Sequence, residues 1–372
     1  MPPIAFKGVK NMKRMIIYLL LLFYLVFSLM AMEIEPLREI TLFQSEDTFI
    51  QKSGSIIVTE DERLLVFDTK AGHIKIFNLK GDLVKIFGRK GMGPNEFVKP
   101  YSSSFKSPYF IFTDYGRRSF FVYKMTGTDF EYVNSFLSMR MANDFQLIDD
   151  KKLLVAGYKV DKNNKEYNLY EYDFETDEYD FILPTEISYG FKSLKRYKKA
   201  YNEEIAYIGA TQYCDFSGNN VYLTWKGNIK IIKINRKTKA TTSFGKKTAN
   251  YVKPYLTPEI RRAYDQRKHM LLYKLVNRMS YVRDIFVLKS GKIGLVYSGP
   301  LEKNKGLNVM LQIYKPNGQF IKEFEVLNAK GIYHTDLTYY LNKDKNLFYI
   351  MDRETSETFD QFYKVHEYRI VE

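Results

Sequence analysis

Residues 55–88 read SIIVTEDERLLVFDTKAGHIKIFNLKGDLVKIFG, and their rhythm decides the fold. Four strand-like pieces stand out: Ser55 to Thr59, Arg63 to Phe67, Ile74 to Asn78 and Leu83 to Phe87. Each is short and rich in β-branched or aromatic residues, and turn formers at Glu60 to Glu62, Asp68 to His73 and Lys80 to Asp82 part them. Four antiparallel strands joined so tightly make a meander, the unit of a propeller blade.

The same outline recurs at Phe105 to Phe136, Phe145 to Leu183, Cys214 to Phe244, Ile285 to Val326 and Leu337 to Ile370, which gives six copies in all. The last copy has no room for an outer strand before Glu372, whereas LREITLF at 37–43 is an orphan strand at the other end of the chain. Its docking beside the last copy would complete the sixth blade and close the ring, which removes exposed sheet edges. The expected fold is all-β, a six-bladed β-propeller closed by the N-terminal strand. From Ile56 the copies step by 49, 40, 69, 71 and 52 residues, so blades 3–4 and 4–5 are separated by insertions. The first, 189–208, contains SLKRYKKAYNEEI; the second, 251–279, contains TPEIRRAYDQRKHMLLYKLVNRM. In the second, Thr257 as N-cap, Pro258 and Glu259 start a helix. Ile260, Tyr264, Leu271, Leu275 and Met279 then fall near one face of it.

The composition agrees. The 372 residues include 31 Tyr and 28 Phe against one Trp, and the 45% hydrophobic content excludes a disordered chain. A single cysteine, Cys214, excludes an internal disulfide, and four scattered histidines give no zinc or haem motif. Residues 1–31 carry Lys7, Lys10, Lys13 and Arg14 with no acid, followed by the apolar run IIYLLLLFYLVFSL. This reads as a secretory signal, with an uncleaved anchor as the other reading. The organisation is then 1–31 signal segment and 32–372 propeller, and the chain is exported to the periplasm, envelope or exterior. Beyond residue 31 the net charge is +10, from 53 basic and 43 acidic residues.

GRKGMGPNEFVKP at 88–100 resembles the NHL-repeat junction G-x-G-P-G-E-F-x-x-P, and VFDTKAGHIKIF at 66–77 resembles the hairpin of that repeat. Asn95 replaces the middle glycine, and the hairpin aspartate recurs as Asp114 and Asp352. The chain resembles exported bacterial six-bladed propellers related to NHL and TolB-like propellers. That resemblance implies a binding or scaffolding role. GMGPNEF lacks the Lys-Ser/Thr of a phosphate loop, so it reads as a blade-to-blade turn in which Glu96 binds backbone amides.

Four inner strands open on an acid followed by an apolar residue: Asp144-Phe145, Asp215-Phe216, Asp284-Ile285 and Asp336-Leu337. Inner-strand starts surround the channel of a propeller, so Asp144, Asp215, Asp284 and Asp336 are candidate channel ligands, and Ca²⁺ is the ion such a carboxylate set would take. In the simpler reading each aspartate caps its own strand through local amides. Blades 1 and 2 offer Ser55 and Ser104 instead. A second candidate surface is the basic one made by Lys195, Arg196, Lys198, Lys199, Arg261, Arg262, Arg267 and Lys268 with interleaved tyrosines. It suits an acidic glycan, another envelope component or a protein partner, with nucleic acid ranked last and membrane contact confined to an uncleaved N-terminal segment. The leading function is a non-catalytic binding module. The alternative is a metal-dependent, lactonase-like hydrolase or lyase working in the channel, for which Asp144, Asp215, Asp284 and Asn143 are the candidates. No G-x-S-x-G elbow is present.

Overall fold

The computed structural model describes residues 32–42, 49–137, 142–185, 211–254, 257–268, 271, 275, 277–301, 306–329, 337–355 and 361–372. Its strands form six four-stranded antiparallel sheets and one two-stranded ribbon. Blade 1 is Ser53–Val58, Leu64–Asp68, His73–Phe77 and Leu83–Phe87, within two residues of the ends expected from sequence. Blades 2 to 5 run Pro100 to Leu137, Ala142 to Pro184, Gln212 to Phe244 and Tyr281 to Ala329. Blade 6 holds Thr338–Asn342, Leu347–Thr355 and Gln361–Val371, and its outer strand is the N-terminal Glu33–Leu42.

That closing strand pairs from Glu33 against Val371 to Leu42 against Tyr363, with a bulge beside Pro36, a residue tolerated only at such an edge. Ile40 and Leu42 point inward and are fully buried. The His366 imidazole, on the neighbouring strand, lies 3.2 Å from Asp352 and 3.4 Å from Glu39 of the closing strand, and the Arg38 guanidinium donates to the Glu367 carboxylate.

The core is divided among the blade interfaces. One apolar cluster fills each of the six, such as Phe67, Phe97, Phe110, Phe112 and Tyr123 between blades 1 and 2. Strands buried on both faces explain the near-continuous apolar runs of the sequence. The junction glutamate behaves as expected: Glu96 accepts from the Gly93 amide at 2.7 Å and from Arg89 at 2.8 Å, which together hold its carboxyl below the usual range. Asn95 sits at φ 53, the left-handed conformation its glycine counterpart would take.

The helix in the second insertion is shorter than the sequence suggests. It spans Pro258–Asp265, capped by Thr257, whose Oγ accepts from the Ile260 amide at 3.0 Å. It stops because Arg267 turns left-handed at φ 52 and the Lys268 amide reaches back to the Ala263 carbonyl at 2.8 Å, a Schellman closure without glycine. Of the expected apolar face, Ile260, Leu275 and Met279 pack together with Ala263 and Tyr281, whereas Leu271 is 38% exposed. The insertion at 189–208 and the signal segment 1–31 lie outside the described residues.

Candidate functional site

The inner strands enclose an axial channel with a volume of ≈ 850 Å³. Asp144, Asp215 and Asp284 all line it. Each strand begins the same way, with the aspartate Oδ1 accepting the amide of the following residue: Phe145 at 2.9 Å, Phe216 at 2.8 Å and Ile285 at 2.8 Å. The second oxygen of the first two crosses to the next blade. Asp144 Oδ2 accepts from the Cys214 amide at 2.8 Å and Asp215 Oδ2 from the Val287 amide at 2.7 Å. Ser104 makes the equivalent link from blade 2 to blade 3, its Oγ accepting from the Leu147 amide at 3.0 Å. Asp144 and Asp215 are therefore staples between successive inner strands as well as channel lining.

Asp336 lies outside the described residues. Among the described residues no three Asp, Glu, His or Cys side chains come together as a metal-binding group. Asp144 and Asp215 have both carboxylate oxygens engaged by amides, and Asp284 has one oxygen on the Ile285 amide. Burial pushes the Asp144 carboxyl up to about 7 against the pull of its two amides, with the Asp215 charge adding to the rise. Asp284 is raised well above its ordinary value, first by burial and then by Asp144. Asp215 is salt-bridged to Lys343 of blade 6. Cys214 is buried, and burial raises its thiol, which removes it as a nucleophile.

Four of the six inner strands carry a register break at their start: between Ser53 and Ile56, Pro100 and Ser103, Ala142 and Asp144, and Val282 and Asp284. A bulge turns an extra residue out of the alternation. In blade 5 that residue is Arg283, and in blade 2 the break falls at Tyr101 and Ser102; all three line the channel. Sequence reading passed over Arg283 because it stood one residue before the more conspicuous aspartate. It also passed over Lys226, at the tip of the hairpin joining Asn220–Trp225 to Asn228–Asn235, and over the channel tyrosines Tyr101, Tyr213 and Tyr339. A charged residue inside an otherwise apolar inner-strand pattern is the signal that would have found Arg283.

Among the described residues, three buried polar atoms of side chains on this lining make no hydrogen bond: Arg283 Nη2, Thr338 Oγ1 and the Tyr339 hydroxyl. Arg283 Nε is occupied, donating to Ser298 Oγ at 2.9 Å. At the basic surface, Arg262, Arg267 and Lys268 are exposed, and Arg261 lies on the same helix. Lys195, Arg196, Lys198 and Lys199 fall outside the described residues.

A sequence profile of the family described as 6-bladed beta-propeller matches residues 31–248, more than half of the chain. The chain belongs to that family. Among solved structures, this 6-bladed beta-propeller resembles a Bacteroides vulgatus member of a family of unknown function, at 14% identity and a TM-score of 0.63, over 92% of this chain and 99% of the other. It also resembles a candidate exported protein of Bacteroides fragilis, at 16% identity and a TM-score of 0.55, over 92% and 96% of the two chains. At such identity the likeness is one of fold. No curated protein matches the sequence. No helix among the described residues is long and apolar enough to cross a membrane.

Proposed function

We propose that this 6-bladed beta-propeller is an exported, non-catalytic binding module whose ligand occupies the axial channel. The observation that carries the reading is the lining itself. Buried polar groups in folded proteins nearly always find a partner, and here Arg283, Thr338 and Tyr339, all on one cavity lining, each hold one atom without a partner among the described residues. A ligand that supplied acceptors and donors there would satisfy them. Binding is favoured over hydrolysis because Asp144 and Asp215 have both carboxylate oxygens engaged by backbone amides and the described residues assemble no metal-ligand group. Export is supported by the basic-then-apolar segment within residues 1–31 and by the likeness to the candidate exported protein.

The test is a channel plug. Ser103, whose Oγ lies 2.6 Å from Ser55 Oγ in the lining, is replaced by tryptophan, and a panel of soluble saccharides and small metabolites is screened by thermal shift against both proteins. Ligands that stabilise the wild type are expected to lose that effect in a Ser103→Trp variant that still unfolds cooperatively. Retention of the full shift by the plugged protein would remove the channel from the reading. Fractionation of the tagged full-length chain checks export, and a cytoplasmic protein would contradict it.

A further inference from the structure

Resting on the channel reading, we infer that the ligand is an acidic sugar whose carboxylate or phosphate is received by Lys226 and Arg283. The two cations are brought together by the backbone. The Lys226 amide donates to the Thr211 carbonyl at 2.9 Å, and its own carbonyl accepts the Val282 amide at 2.8 Å, which sets it beside the bulged Arg283. Both face the Tyr281 ring, Lys226 Nζ 5.4 Å and Arg283 Cζ 5.8 Å from its centroid. Neither forms a salt bridge among the described residues, although each lines the same cavity.

Two adjacent, part-buried cations with no ion pair among the described residues are costly to hold. Burial first and the Arg283 charge second bring the Lys226 ammonium down to about 8. Of the acids on the same lining, Asp215 is engaged by Lys343, and burial drives Asp144 and Asp284 towards the neutral form. An incoming oxyanion would supply the counter-charge. The Arg283 guanidinium, with Nη2 unpartnered among the described residues, has the planar donor set a carboxylate or phosphate accepts from, and Thr338 and Tyr339, whose buried hydroxyls are likewise unpartnered among the described residues, belong to the same lining.

The rest of the lining favours a hydroxylated ring over a bare ion. Tyr101 and Tyr115 form an aromatic pair with centroids 5.0 Å apart and exposures of 37% and 44%, and Tyr101 reaches the channel. Ser53, Ser55, Ser102 and Ser103 add hydroxyls on that side. An aromatic face for the ring, hydroxyls for its alcohols and a cationic end for its acid are the three contacts an acidic sugar needs.

Calorimetric titration at low ionic strength tests this with matched probes: galacturonate against galactose, glucose 6-phosphate against glucose, and inorganic phosphate alone. One acid is expected to bind at least about tenfold tighter than its neutral partner, and which pair responds tells carboxylate from phosphate. Arg283→Gln and Lys226→Gln are each expected to lower that affinity about tenfold with the thermal midpoint retained, whereas Lys237→Gln, on the exposed surface, leaves it unchanged. Equal binding of acid and neutral sugar, or wild-type affinity in both variants, overturns the anion assignment while channel binding stands if Ser103→Trp still abolishes it. Inorganic phosphate binding as tightly as glucose 6-phosphate overturns the sugar assignment alone. If no probe binds, the inference fails as stated, and the thermal-shift panel on Ser103→Trp decides the channel reading separately.

Discussion

Carboxylates in this chain are tuned by what surrounds them. Part-buried Glu96 is held low by the Gly93 amide and Arg89, while Asp144, with two amides of its own, is driven up to about 7 because burial outweighs them. The consequence for stability has a definite sign. The folded Asp144 keeps its proton up to about pH 7, whereas the unfolded one releases it near the ordinary 3.8, so the folded state binds more protons between those values. Stability from this group is greatest below that window, falls as pH rises through it by at most about 1.4 kcal/mol per unit, and levels off above about 7. Asp144→Asn is expected to flatten this decline in a series of thermal midpoints, and an unchanged slope would assign the proton elsewhere. Asp68 and Asp114 serve a different end. Asp114 Oδ1 and Oδ2 together accept the amides of Val98, Lys99, Gly116 and Arg117 at 2.7 to 3.1 Å, and Asp68 binds Gln51, Lys52, Lys70 and Ala71 in the same way. Each ties a hairpin to the segment entering its blade. Asp114→Ala leaves buried amides without acceptors and is expected to cost about 3 kcal/mol or more in urea unfolding, with Asp114→Asn costing less.

At the scale of elements, the closing strand matters most. Ile40 and Leu42 belong to the cluster that also holds Ile56, Val66, Tyr349 and Val365, so the strand seals the seam between blades 6 and 1. Ile40→Ala is expected to destabilise by about 2–4 kcal/mol, while Glu33→Ala, at the exposed end, changes little. The helix Pro258–Asp265 depends on its cap: Thr257→Ala removes the acceptor for the Ile260 amide and should cost about 1 kcal/mol, read as a shift of the urea midpoint.

For the whole molecule, six interface clusters arranged in a ring mean that every blade has two neighbours only while the ring is closed. Removing residues 33–42 leaves the Gln361–Val371 strand as an open edge and uncovers the seam to blade 1. The expected outcome is lower hydrogen-exchange protection in blades 1 and 6 together with a lower global thermal midpoint. Protection lost in Gln361–Val371 alone would mean that closure supports one blade and not the ring.

Strand alternation, turn residues and the orphan strand at 37–43 made the blades legible, because a meander is a local object whose period can be counted along the chain. The repeated aspartate at inner-strand starts was legible for the same reason, and so was Glu96 as an amide acceptor. The break in the helix was not, since nothing in the local periodicity says that Arg267 will turn left-handed. Nor was the pairing of Lys226 with Arg283. A hairpin tip of blade 4 meets the bulged start of blade 5 only after two blades dock, and which side chains then face the lumen follows from a one-residue register break. The sequence by itself determined the blades and their closure, because hydrophobic period and turn chemistry act between near neighbours. The tertiary structure alone decided how the charges of the channel lining meet, because they come from different blades and acquire their character from burial and from one another.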